Sequence, residues 1–361
     1  MDPFQYVSHA NRVIFGQGKR SLAKQELVKL GIKKALVLST PQQVELAFEI
    51  GEIIGELCGH IYTNAVQHVP VEVVNDAQRI VEKLDIDGLV AVGGGSSIGL
   101  AKAIALNTSL PILAIPTTYA GSEMTPVWGI TENNIKKTGT NIVVKPKAVI
   151  YDPDLTITLP QNFAITSGMN AIAHCAEGLY AENANPIISL YAEEGVRALS
   201  NSLPKIIENP NDMDARSEAQ YGTMFGGMVL GSVGMALHHK LCHTLGGTYN
   251  LPHAETHTVI LPYAIQYNVE HAPNAIKALA RALQTTEKDV PGALFDLANT
   301  LGISMSLRDL GMKESDLDQT AELATKNPYY NPRPVNKEGI RELLQLAFEG
   351  KRPVAGMISS K

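Results

Sequence analysis

Two textures of apolar patterning divide the chain. From Val13 to about Pro160, short apolar runs alternate with stretches of helical periodicity. KKALVLST (33–40) reads as a buried strand, VELAFEIGEIIGELC (44–58) as the helix after it, HIYTNAV (60–66) as a second strand and VEVVNDAQRIVEKL (71–84) as a second helix. GLVAVGGGSSIGLAKAIAL (88–106) is strand, glycine turn and helix in one run, and PILAIPTT (111–118) is a further strand. Strands alternating with helices predict a parallel sheet covered on both faces, with ligands bound at the carboxyl ends of its strands.

After Pro160, apolar residues recur every three or four positions in long alanine- and leucine-rich segments. They include ITSGMNAIAHCAEGLYAE, SLYAEEGVRALSNSLPKII, ARSEAQYGTMFGGMVLGSVGMALHHKLCHTLGG and NAIKALARALQ, and they predict helices, several of them largely buried. DPDLTITLP (152–160) separates the textures, giving an α/β domain over residues 1–158 and an all-α domain over 159–361. The C-terminal stretch reads as a loop containing YYNPRPV, followed by a terminal helix.

Composition narrows the function. At 361 residues the chain exceeds the size at which one core usually keeps growing, which agrees with two domains. A net charge of -6 with no basic run argues against nucleic acid as a partner. No apolar stretch reaches the ~18 residues of a membrane span, and the first residues lack the layout of a signal peptide. Three scattered cysteines, Cys58, Cys175 and Cys242, make no disulfide framework, so a reducing cytoplasm is the expected location.

Two groups of residues carry candidate chemistry. In the first domain, a strand runs into Gly93-Gly94-Gly95-Ser96-Ser97 and a helix begins at once. Backbone N–H groups freed by glycine, together with a helix N-terminus, suit phosphate oxygens. Thr117, Thr118, Tyr119 and Ser122 follow the next strand and add hydroxyls beside that turn. In the second domain, Leu237–His257 holds five of the ten histidines, and His174 lies upstream. Asn170 and His174 are spaced i, i+4, as are His239 and His243, so each pair shares a helix face, and His253 follows on PHAETH. Such a set suits metal binding or proton transfer. His238, His257 and His271 are left as ordinary surface residues, and Cys175 and Cys242 as small buried ones.

GGGSS, PTTYAGSE, Asp152-Pro153, SGMNAIAHCAEGLY and HHKLCHTLGGTYNLPHAETH, in this order and spacing, resemble the iron-containing (group III) alcohol dehydrogenase family over essentially the whole chain. The resemblance implies a dehydroquinate synthase-like two-domain fold: a Rossmann-like nucleotide-binding α/β domain, an all-α catalytic domain and a cleft between them. It further implies NADH or NADPH as cofactor, a small-molecule substrate and a homodimer. The family's metal shell is one Asp and three His. Carried over, the histidines are His174, His239 and His253, with His243 a further active-site residue, but Asn170 stands where the Asp belongs. The only anion of the shell is thereby lost, leaving a degenerate set poorly matched to Fe²⁺. Gly99 replaces an Asp found in many relatives. After the first strand, Ser39 and Thr40 stand where an acidic residue would select NAD, so both nucleotides stay open.

Asn170 together with HHKLCHTLGG, PHAETH and NPRPV resembles a branch that needs no metal and reduces the carbon–carbon double bond of maleylacetate to 3-oxoadipate in aromatic degradation. On that reading His243 donates a proton, and His174, His239 and His253 act as hydrogen-bond donors and orienters with Asn170. Lys240, Arg333 and Tyr119 would bind the dicarboxylate, Arg333 through its bidentate guanidinium. A metal-dependent alcohol or aldehyde reductase of the same family is the alternative, and a dehydroquinate synthase-like lyase is a further one.

Overall fold

The computed structural model describes residues 3–8, 11–133, 135–354 and 358. Contacts divide the chain into two compact units, one of residues 9–159 and one of residues 160–361 joined by residues 1–8. The N-terminal segment therefore departs from the expected α/β domain. Its Tyr6 side chain is hydrogen-bonded to Tyr191 of the helical unit.

The first unit is built on a six-stranded sheet in the order β1-β8-β5-β4-β2-β3, parallel throughout. Its strands are β1 (Arg12–Phe15), β2 (Ala35–Leu38), β3 (Cys58–Tyr62), β4 (Gly88–Gly93), β5 (Ile112–Pro116) and β8 (Ala148–Tyr151); β6 (Val127–Glu132) and β7 (Ile135–Thr140) form a separate antiparallel hairpin. Helices α1 (Ala23–Lys29), α2 (Val44–Ile54), α3 (Val71–Lys83) and α4 (Gly95–Thr108) cover the sheet. The central strands β2, β4, β5 and β8 are buried at every position, which is why they read as unbroken apolar runs. Alternate residues feed two cores. Leu36, Leu38, Leu89 and Ala91 pack with Val74, Ala77 and Ile104 on one face, while Val37, Val90 and Val92 pack with Leu27, Ala47 and Ile50 on the other.

Three local differences from the sequence expectation have plain causes. The helix read over 44–58 stops at Ile54 because Gly55 turns to φ +58°, and Cys58 already belongs to β3. Strands β1 and β8 and helix α1 were not anticipated, because four- and seven-residue elements carry too little periodicity to stand out. The segment 215–247, which reads as one helical run, is two helices separated by GSVGMA.

The second unit consists of α5 (Gln161–Gly178), α6 (Pro186–Glu208), α7 (Met213–Leu230), α8 (Leu237–Tyr249), α9 (His253–Asn268), α10 (Pro273–Ala282), α11 (Val290–Thr300), α12 (Leu317–Thr325) and α13 (Lys337–Glu349). Helix α5 packs against α6, α7 and α9, and α9 also packs against α8, α11 and α13. Small residues allow these approaches: a Cβ on Gly226 of α7 would lie 3.0 Å from the Ala171 carbonyl of α5. No helix among the described residues is long and apolar enough to cross a membrane.

Candidate active site

In the α/β unit, the chain order reverses where β2 and β4 lie side by side, and the glycine turn leaves the carboxyl end of β4 at that point. Gly93 has φ +132°, and a Cβ there would meet Gln43 Oε1 at 2.4 Å; one on Gly94 would meet Thr118 Cγ2 at 2.8 Å. Gly95 differs, because a Cβ there meets nothing within 4 Å, so open space faces the first turn of α4. Ser97 Oγ is buried beside it without a hydrogen-bond partner. Gln43 Nε2 donates to Thr117 Oγ1 at 2.7 Å, tying the ends of β2 and β5 together. The buried Lys102 Nζ donates to the carbonyls of Ser122 and Val127 and to Thr125 Oγ1 at 2.6–2.9 Å, and holds the loop that carries Ser122. At Gly99 a Cβ would lie 2.8 Å from Val69 Cγ2, so a side chain there would require Val69 to shift.

Two expected ligand contacts in this unit are corrected. Tyr119 is wholly buried, with its hydroxyl donating to Thr156 Oγ1 at 3.3 Å, so it is a core residue of the α/β unit. Ser39 is also buried, and its hydroxyl donates to the Thr40 carbonyl at 3.3 Å.

In the helical unit, α5, α8 and α9 bring the histidines into one cluster. His174 stacks on His239 with ring centroids 5.2 Å apart. His239 lies 6.0 Å from His243, and 4.9 Å from His257, which itself lies 4.3 Å from His253. His238 and His257 are corrected from surface to core, since both are buried. His243 and His253 are the exposed members. Asn170 Oδ1, His174 Nδ1, His239 Nε2 and both nitrogens of His257 are buried without a hydrogen-bond partner, so the cluster offers polar atoms to a ligand.

Glu177 organises this cluster, and sequence reading passed over it. It lies on α5 three residues after His174, fully buried. One carboxylate oxygen accepts the His238 N–H at 2.6 Å; the other accepts the Ala236 N–H at 2.9 Å and contacts His239 Nδ1 at 2.6 Å. Glu177 thereby caps the N-terminus of α8, where amides lack intrahelical acceptors. Burial pushes its carboxyl up from the ordinary range, while His238 and the backbone N–H groups pull it down. Burial lowers the imidazoles, assisted by the neighbouring rings: His238 falls to about 4, and His174, His239 and His257 lie well below the usual 6.5. Burial also raises the thiols of Cys175 and Cys242, which disfavours thiolate chemistry at either.

Tyr329 is a second residue that sequence reading overlooked. Its hydroxyl lies 3.0 Å from His243 Nδ1, and Lys240 Nζ sits 5.7 Å from its ring centroid. The segment carrying it is tied to the end of α9. Asn331 and Asn268 exchange two amide hydrogen bonds of 2.7 and 2.9 Å, and Tyr267 donates its hydroxyl to the Pro334 carbonyl at 2.8 Å. Arg333 belongs to this anchor, which corrects its expected role in gripping substrate. It is only 6% exposed, its guanidinium stacks 4.0 Å from the Tyr267 ring centroid, and it donates to the Tyr267 carbonyl at 3.3 Å.

Comparison with known proteins places this arrangement. Residues 10–153 match the model of iron-containing alcohol dehydrogenase, and residues 164–348 match the C-terminal model of the Fe-containing alcohol dehydrogenase family. The chain belongs to the iron-containing alcohol dehydrogenase family and is an oxidoreductase. It is 52% identical over 342 residues to a maleylacetate reductase from Pseudomonas sp. (strain P51), covering 95% of this chain and 97% of the relative. Its identity to a maleylacetate reductase from Sphingobium indicum is 51% over 353 residues, with 98% of each chain covered. A crystal structure of maleylacetate reductase from Agrobacterium tumefaciens superposes with a TM-score of 0.95 at 48% identity, covering 98% of this chain and 100% of that one.

The family name raises the question of a metal. His238, His239 and His257 place ligand-type atoms within 4.8 Å of one another. In His238, Nε2 is held by the His257 carbonyl at 2.8 Å, whereas His239 is held through Nδ1 by Glu177 and keeps Nε2 without a partner. The family-like set of His174, His239 and His253 with Asn170 contains no carboxylate. The nearby carboxylate, Glu177, meets the far side of His239 and is occupied by N–H groups. Three imidazoles suit Fe²⁺ or Zn²⁺, but the set lacks an anionic oxygen ligand of its own.

Proposed function

We propose that this chain reduces the carbon–carbon double bond of maleylacetate to 3-oxoadipate, using NADH or NADPH and no required metal, in the breakdown of aromatic compounds. The observation that carries the reading is Asn170, a neutral amide at the place of the family's aspartate, in a chain about half identical to maleylacetate reductases over nearly its full length. Hydride addition to the alkene carbon β to the ketone leaves an enolate, whose charge hydrogen-bond donors can stabilise before an acid protonates the α carbon. A Lewis acid is less needed here than for an alkoxide.

His243 is the proposed proton donor, with Tyr329 as its hydrogen-bond partner, and Lys240 the cation for a substrate carboxylate. Asn170, His174, His239 and His253 line the pocket. The nucleotide phosphates are assigned to Gly93, Gly94, Gly95, Ser96 and Ser97, supported by the open space at Gly95 and the unpartnered Ser97 hydroxyl. Thr117, Thr118 and Ser122 border that turn. A cytoplasmic homodimer completes the proposal, and sedimentation tests its assembly.

The decisive assay is maleylacetate-dependent NADH oxidation on exhaustively chelated protein, with metal content measured on the same sample. Sustained turnover is expected. Loss of activity restored by Fe²⁺ or Zn²⁺ would instead support the metal-dependent alcohol dehydrogenase, and no consumption of NADH or NADPH would reject the proposal.

A further inference from the structure

The hydrogen bonds around Glu177 determine which nitrogen of His239 carries the proton. The His257 carbonyl can only accept. His238 Nε2 lies 2.8 Å from it and must donate, so the His238 proton sits on Nε2. The Cys242 sulfur, 3.6 Å from the same nitrogen, is too weak a partner to reverse this. A second proton on the His238 ring would create a buried imidazolium whose side chain has no carboxylate contact among its hydrogen bonds. His238 Nδ1 is therefore a lone pair, and it faces His239 Nδ1 at 3.3 Å. Two lone pairs do not settle at that distance, so His239 Nδ1 carries hydrogen. That N–H is shared between His238 Nδ1 and Glu177, whose carboxylate oxygen is 2.6 Å away.

We infer that Glu177 is a positioning residue that locks His239 with its proton on Nδ1, so that Nε2, on the opposite side of the ring from Glu177, carries the lone pair and acts as a hydrogen-bond acceptor. Nε2 is the buried nitrogen that lacks a partner. It suits an O–H or N–H group of a ligand and is ill-suited to an enolate oxygen, so on this inference the oxyanion donors are other residues of the cluster. The inference also gives the amide at position 170 a chemical reason. With His239 fixed as an acceptor, an aspartate would add another acceptor, whereas Asn170 supplies N–H donors whatever the tautomers of its neighbours. This last step rests on the proposed reduction of an enone; the tautomer itself does not.

The test is long-range proton–nitrogen NMR on ligand-free protein labelled with ¹⁵N-histidine, the His239 signals being assigned by their loss in His239→Asn. The expected spectrum has Nδ1 protonated and Nε2 bare, and a protonated Nε2 would overturn the inference without any reference to substrate. Glu177→Gln keeps an oxygen for capping α8 but can turn an N–H toward His239. It should shift the His239 tautomer and lower kcat by about 10–100-fold, with KM for the nucleotide unchanged. A variant that keeps both tautomer and turnover would also overturn it. If Glu177→Gln does not fold, the wild-type spectrum alone decides.

Discussion

The Tyr329 hydroxyl lies 3.0 Å from Nδ1 of His243, with the two rings inclined at 74°. This contact ties the His243 ring to the segment that follows α12. His243→Ala should lower kcat by ~10²-fold or more, as for a lost general acid. Tyr329→Phe removes one hydrogen bond and should cost only about 2–10-fold. Steady-state kinetics with maleylacetate distinguish the two; equal losses would mean that Tyr329 itself delivers the proton.

Arg333 predicts a different pattern. Because its guanidinium is buried on Tyr267, Arg333→Ala should destabilise the protein by about 2–4 kcal/mol through lost stacking and an orphaned carbonyl. Denaturant titration measures this. In the folded fraction, KM for the dicarboxylate should stay within a few-fold of wild type.

At the glycine turn, Gly95→Ala is sterically free and adds a better helix former, so stability should hold or rise by up to about 1 kcal/mol. A methyl group in the phosphate space should nevertheless raise KM for the nucleotide at least ~10-fold, a cost of about 1.4 kcal/mol in binding. Thermal melts and kinetics on one preparation separate the effects.

Acid should unfold the protein steeply. His174, His238, His239 and His257 all lie below 6.5 in the fold, so between the folded and unfolded values the unfolded chain binds more protons. Their contribution to stability is present above pH 6.5 and is lost as pH falls, for His238 toward about 4. Each fully developed proton steepens the loss by about 1.4 kcal/mol per pH unit. Glu177, raised by burial, acts in the opposite sense over the carboxylate range. Denaturant midpoints from pH 8 to pH 5 measure the net slope.

Restoring the family's anion should restore metal affinity. Asn170→Asp should retain Zn²⁺ or Fe²⁺ through desalting, measured as metal content and as a metal-dependent rise in Tm. Double-bond reduction should fall in the loaded variant.

Much of this was legible because its physics is local. Repeated i, i+4 spacing made Asn170, His174, His239 and His243 visible, and unbroken apolar runs exposed β2, β4 and β5. Glu177 was not legible: one acidic residue in an alanine-rich helix carries no period, and its partners lie some sixty residues away in sequence. Its trace was a lone charge on an otherwise apolar helix. Tyr329 and Arg333 sit in a segment without periodicity, and the tertiary ties to Tyr267 and Asn268 send one toward His243 and bury the other. Tyr119 misled because a hydroxyl at a strand end reads the same whether it faces a ligand or Thr156.

Helix α9 gives these ties a mechanical meaning. Its first residue is His253 and its last two anchored residues are Tyr267 and Asn268, roughly 21 Å of helix at 1.5 Å per residue. The helix sets imidazoles at one end and moors the Tyr329 segment at the other, with Pro262 between them, so the two are indexed to one element. A substitution at Tyr267 would then detune the chemistry from a distance, without altering any group that meets the substrate.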